Sequence, residues 1–172
     1  MPTLDAVLYK WISRATTKLD DCDLPVGLVE DSIALLKRAL GADYLQHLLI
    51  EESEPVHFLD DEANPLRKWL LSARVAQYII QVMELAAYVR AFQDDPALPD
   101  KLTKLKKDSF WPMLFELAMA TRMKRSCQPP QELLLNPETA SSIGDFTIKI
   151  PGCPIPCECS RVGRSPLLLA IR

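Results

Sequence analysis

This chain has no strong charge of either sign: 20 Lys and Arg stand against 23 Asp and Glu, a net charge of −3 over 172 residues. So small a balance gives no global pull toward nucleic acid, and a nucleic-acid partner would need a local basic patch. No apolar run approaches about 18 residues, so neither a transmembrane helix nor a membrane partner is expected. A charged-then-apolar leader is also missing; Met1-Pro2-Thr3-Leu4-Asp5 reads as a helix start instead. Histidine is scarce, and both residues, His47 and His57, lie far from the cysteine-rich end. The five cysteines are an odd number. Together with the missing leader this points to a reducing, cytoplasmic setting.

Cys153, Cys157 and Cys159 fall within seven residues. Their spacing is not the Cys-x₂-Cys of a structural zinc site, and no histidine is at hand to activate a thiol. Alternation along a strand would turn Cys157 and Cys159 inward as small apolar residues.

What the chain does have is an apolar content of 48%, that of an ordinary globular protein. Its length suits one domain, or one domain with a small appendage. The first two thirds read as helices. Leu4, Val7, Leu8, Trp11, Ile12 and Ala15 repeat at i, i+3, i+4, one apolar helical face. A second helix is expected from Val26 to Leu40 with Gly41 as its stop, and a short third one around Leu45, Leu48 and Leu49. Asn64-Pro65 is a helix start. From it one long helix is expected to run to Phe92, burying Leu66, Trp69, Leu70, Ala73, Ala76, Ile80, Met83 and Ala87. A short basic helix over Lys101 to Lys107 and another helix from Phe110 to Arg125 follow. Trp11, Trp69, Phe92 and Trp111 fall on apolar faces, where packing is the default role. No internal repeat is visible.

At Cys127-Gln128-Pro129-Pro130 the helical period stops. Leu133-Leu134-Leu135, closed by Asn136-Pro137, has the form of a short buried strand. Ile143 to Ile150 alternates, with Phe146, Ile148 and Ile150 on one face and Asp145, Thr147 and Lys149 on the other. Pro151-Gly152-Cys153-Pro154 is turn chemistry. Ile155 to Arg161 returns as a strand with Ile155, Cys157 and Cys159 on one face and Glu158 and Ser160 on the other. The expected fold is therefore α+β: a helical region over 1–107 and a small α/β core over 108–172. The final segment, Pro166 to Arg172, opens an apolar element and stops, as if a closing piece were cut away or the chain were part of a longer protein.

Three carboxylates stand out. Asp145 and Glu158 lie on the polar sides of strands that a hairpin would bring together. Glu116 stands in the apolar run from Trp111 to Ala120. Two like charges brought close raise each other's pKa unless a cation holds them, and hard oxygen donors suit Mg²⁺ or Mn²⁺. Such ions polarise phosphoryl oxygens and activate water. A carboxylate on an apolar stripe either reaches water at its edge or must be paired or coordinate a metal. The basic stretch of Lys101, Lys104, Lys106 and Lys107, with Arg122, Lys124 and Arg125, is a solvated helix face or a path for a phosphate backbone.

A helix bearing Glu, then a strand, then a hairpin bearing Asp and Glu-x-Lys resembles the core of the PD-(D/E)xK nuclease superfamily, the restriction-endonuclease-like fold. The resemblance covers about Phe110 to Arg161. It implies a metal-dependent nuclease acting on nucleic acid, or a descendant of one. Asp145 and Glu158 would be the principal ligands of Mg²⁺ or Mn²⁺, with Glu116 a helix acid near the metal. Leu133 to Leu135 would be the first core strand. Ser160 stands where the family has its lysine, a hydrogen-bonding group without positive charge. Lys124, Lys149 and Arg161 are the nearest substitutes, and Lys149 lies about 13 Å along the strand from Asp145. The rival expectation is a non-catalytic helical interaction module, engaging a protein partner or a second copy through its helical region, with a structural hairpin and an exposed apolar patch.

Overall fold

A computed structural model describes residues 2–20, 22, 24–51, 64–107, 109–129, 131–136, 144–152 and 154–159. The fold is α+β, with seven α-helices and a three-stranded antiparallel sheet among the described residues. No helix among them is long and apolar enough to cross a membrane. The chain divides into two compact units, Met1–Arg90 and Ala91–Arg172.

The first unit opens with α1, Leu4–Lys18, capped by the Thr3 hydroxyl, which accepts from the Ala6 N–H. Its buried face is Leu4, Leu8, Trp11 and Ala15. α2, Leu28–Leu40, buries Ile33, Leu36 and Leu40 and ends at Gly41, whose φ of 92° few other residues adopt. α3, Ala42–Gln46, runs into one π-helical turn, His47–Glu51, which buries Leu48 and Leu49. α4, Pro65–Leu71, starts on Asn64, whose side chain accepts from the Leu66 N–H. The Trp11 indole N–H donates to the Trp69 carbonyl at 3.0 Å, tying α1 to α4 inside the core.

The single long helix expected over residues 65–92 is interrupted. α4 stops at Ser72 (φ −129°, ψ 72°), and α5, Ala76–Ala91, begins after a turn. The interruption resets the helical phase. Ile79, Val82, Leu85, Ala86 and Val89 are buried in α5, while Ala76 and Ile80, expected inside, are exposed. Leu71 and Val75, at the break, are exposed as well.

The second unit contains α6, Leu98–Leu105, and α7, Phe110–Ser126, which pack together, and α7 also packs against the first strand. The expected boundary at 107/108 separates these two helices; the compact unit keeps them together. Pro99 sits in the first turn of α6, where no N–H is needed, so the helix begins earlier than Lys101. The strands are β1, Glu132–Leu135, β2, Phe146–Lys149, and β3, Ile155–Cys157, in the order β1-β2-β3. Leu135 pairs with Phe146, and Phe146 with Cys157. Leu133, Leu135 and Phe146 are buried, but Ile155, expected on the inner face, is exposed. Asp95 closes the turn before α6. One carboxylate oxygen accepts from the Ala97 N–H and the other from the Leu135 N–H, each at 2.9 Å.

Candidate functional site

Asp145 lies one residue before β2, and its position is fixed from several sides. Gly144 precedes it with φ 76°. A Cβ on Gly144 would stand 2.5 Å from the Cys157 carbonyl oxygen, so only glycine allows this approach of two backbones. The Asp145 N–H donates to that same carbonyl at 2.7 Å. Cys157 already faces Phe146 in the ladder, so two residues of one strand oppose one of the other, the pattern of a β-bulge. Bulges re-aim side chains at the ends of sheets. Here the Asp145 carboxylate turns to accept the Cys159 N–H at 2.5 Å.

Glu158 is exposed and sits between the two groups that Asp145 binds. The Cys157 carbonyl belongs to the peptide before Glu158 and the Cys159 N–H to the peptide after it. Asp145 therefore clamps both peptides that flank Glu158, one through its own N–H and one through Oδ2.

Asn136 reinforces the arrangement from the end of β1. Its N–H donates to the Asp145 carbonyl, its amide N–H to the Gly144 carbonyl, and its side-chain oxygen accepts from the Thr147 hydroxyl. In the sequence Asn136 reads only as the residue that ends a strand. Its role as a clamp needs Gly144 and Thr147 brought alongside, which only the pairing of β1 and β2 does.

Glu116 does not reach water. It is 2% exposed on α7, within the buried stripe Met113, Glu116, Leu117 and Ala120. The Lys101 ammonium pairs with its Oε1, and Lys101 is itself 1% exposed on α6. Lys101 thus leaves the expected basic face and lies inside the unit. A signal for this pair is in the sequence: Lys101 interrupts the stripe Leu98, Leu102, Leu105, as Glu116 interrupts that of α7, with opposite signs.

The field of these acids is felt at Cys159. Burial, then the Asp145 and Glu116 carboxylates, then the hydrogen bond to Asp145 and the charge of Cys157 push its thiol up to about 12. The thiol therefore stays protonated and inert at neutral pH, although Cys159, expected to turn inward along a strand, lies beyond the end of β3 and is only half-buried.

Ser160 and Arg161 lie outside the described residues. Lys124, a candidate for the missing positive charge, is engaged elsewhere. Its ammonium donates to the Ala91 carbonyl at 2.6 Å and lies 4.5 Å from the centroid of the Phe92 ring. Lys149 stands opposite Glu132, at the end of β2 away from Asp145.

Among the described residues no group of three or more His, Cys, Asp or Glu side chains is arranged to hold a metal ion. Mg²⁺ does not need one, because it keeps most of its waters and takes one or two carboxylates from a protein. Asp145 has one carboxylate oxygen outside its bond to Cys159, and Glu158 is an exposed hard donor. Glu116, by contrast, is already neutralised by Lys101.

No family model, curated protein or solved structure matches the chain.

Proposed function

We propose that the elements from α7 to β3 are the opening part of a restriction-endonuclease-like core, and that the protein is a metal-dependent nuclease or a descendant of one. Asp145 and Glu158 are its ligands for Mg²⁺ or Mn²⁺, and Ser160 occupies the lysine position. The observation that carries this is the clamp: Asp145 binds both peptides flanking Glu158, which fixes the two acids at one end of the β2–β3 pair. The order helix, strand, strand, strand, with an acid on the helix, supports it.

A bound ion would supply Lewis-acid polarisation of a phosphoryl oxygen and a water of lowered pKa. The chain's own part is positioning. Asn136 and Gly144 hold Asp145, and Asp145 holds the backbone around Glu158. The charged side chains of Arg122 and Arg125, exposed toward the C-terminal end of α7, give phosphate a place to approach.

With Mn²⁺ present, the protein is expected to cleave supercoiled plasmid DNA or single-stranded RNA. Asp145→Asn and Glu158→Gln should each slow that cleavage by about 100-fold or more. Cleavage that survives both substitutions would belong to another site or a contaminant and would remove the assignment.

The alternative, an interaction module, rests on Leu71, Val75 and Ile80, all exposed at or near the α4–α5 break. It predicts self-association or partner binding that Ile80→Lys abolishes and Asp145→Asn leaves intact.

A further inference from the structure

Ala76, Ile80 and Glu84 follow one another at i, i+4 spacing and so form one ridge of α5. Ile80, at the middle of the ridge, is 44% exposed, and Ala76 is exposed as well. The turn that leads into the ridge presents two more exposed apolar side chains, Leu71 and Val75, with exposed Arg74 between them in sequence. Large apolar side chains left together at the surface mark a place that a partner covers. The same surface carries an unmet charge at each end. Glu84 is half-buried; burial raises its carboxyl above the usual range, and no cation among the described residues stands against it. Arg74 has no ion-pair partner among the described residues.

We infer that this ridge is the contact of a two-fold dimer: the α5 helices of two copies of the chain cross antiparallel at Ile80, and Arg74 of each copy pairs with Glu84 of the other. The charges argue for a second copy. A cation at one end of an apolar surface and an acid at the other make that surface complementary to itself, which is what an isologous interface requires. With the two-fold axis at Ile80, Ala76 of one copy lies opposite Glu84 of the other, because each stands four residues from the axis. At the rise of a helix that is about 6 Å. Ala76 offers only a methyl group there, so it leaves room for the carboxylate. Arg74, two residues earlier, has the long side chain and the planar fork that a carboxylate takes. The two Ile80 side chains meet on the axis and leave water together. The inference goes beyond the metal-site reading and does not depend on it.

The test is sedimentation velocity of the full chain from micromolar to submillimolar concentration, where the wild type is expected to pass from monomer to dimer. Ile80→Lys sets two like charges on the axis and should weaken association by about 100-fold or more. Arg74→Glu and Glu84→Arg each oppose like charges at both ends of the contact and should weaken it by about tenfold or more. Arg74→Glu/Glu84→Arg exchanges the ends, restores the pairing and should associate within about threefold of the wild type. Circular dichroism shows which variants are folded. Glu84→Gln keeps the shape and removes only the charge, so it replaces Glu84→Arg if that variant does not fold, with an expected loss of about threefold or more. A wild type that stays monomeric throughout overturns the inference. So does association that Ile80→Lys leaves unchanged, or a double reversal that is no tighter than the single ones. Asp145→Asn and removal of divalent ions with a chelator keep the metal site apart from this one: neither should alter the dimer. Association that depends on either would belong to the metal site and would overturn the inference.

Discussion

Glu116→Ala is expected to destabilise the second unit by about 3–5 kcal/mol, far beyond the effect of deleting a surface carboxylate. The reason lies in what remains. Lys101, 1% exposed, would be left buried with its ion-pair partner gone. Lys101→Ala should be comparably damaging, because it leaves Glu116 in the same position. The double variant Lys101→Met/Glu116→Leu should recover to within about 1 kcal/mol of the wild type, since apolar residues of similar size remove both desolvation terms together. Urea unfolding measures the three differences, and hydrogen exchange of the α6 and α7 amides places the loss in the second unit. Single-variant losses of about 0.5 kcal/mol or less would mean that the pair is solvated in solution, contrary to its burial.

Gly144→Ala is the second large effect. The new Cβ would stand 2.5 Å from the Cys157 oxygen and 3.0 Å from its carbonyl carbon. Both are backbone atoms, so no side chain can yield. The positive φ of 76° adds about 1–2 kcal/mol for any L-residue, and the total is expected at about 2–4 kcal/mol. The local consequence is sharper than the global one. The Asp145 N–H loses the Cys157 carbonyl, and its carboxylate moves away from Cys159. Burial holds this thiol up first and neighbouring negative charge second, so it falls part of the way when the Asp145 charge leaves, and more thiolate forms at a given pH. Cys159, pushed up to about 12 in the wild type, should therefore be alkylated faster at pH 8 in Gly144→Ala. Peptide mapping by mass spectrometry reads this, with exposed Cys22 as the internal reference. An unchanged Cys159 rate would show that Asp145 does not depend on Gly144.

Much of this was legible in the sequence because it is local. The stripe of α1, the stop at Gly41, the Asn64-Pro65 start and the extent of α7 follow from period and capping chemistry, which neighbouring residues decide. The strands were legible too, from the alternation around Phe146 and the turn at Pro151-Gly152. The break at Ser72 was not, since no proline or glycine stands at residues 72–75 and Ala73 continues the stripe into it. With that break the inward face of α5 moved from Ala76 and Ile80 to Ile79 and Val82. At the site, Asp145 and Glu158 were marked by their place in the alternation. Their relation was not, because it depends on a bulge opposite Cys157, and bulges have no periodic signature. Glu116 is an anomaly in its apolar stripe, but its partner lies in a lysine-rich stretch that reads as surface. Pairing the one intruding charge of α6 with the one of α7 would have found Lys101.

The most direct test of the central claim, that Asp145 and Glu158 form a divalent-ion site, is Mn²⁺ titration of the wild type, Asp145→Asn and Glu158→Gln, with circular dichroism to show that all three are folded. The account predicts about one ion bound by the wild type and affinity reduced by about 100-fold or more in each variant. Wild-type binding that neither substitution weakens, or no binding by a folded wild type, would contradict it.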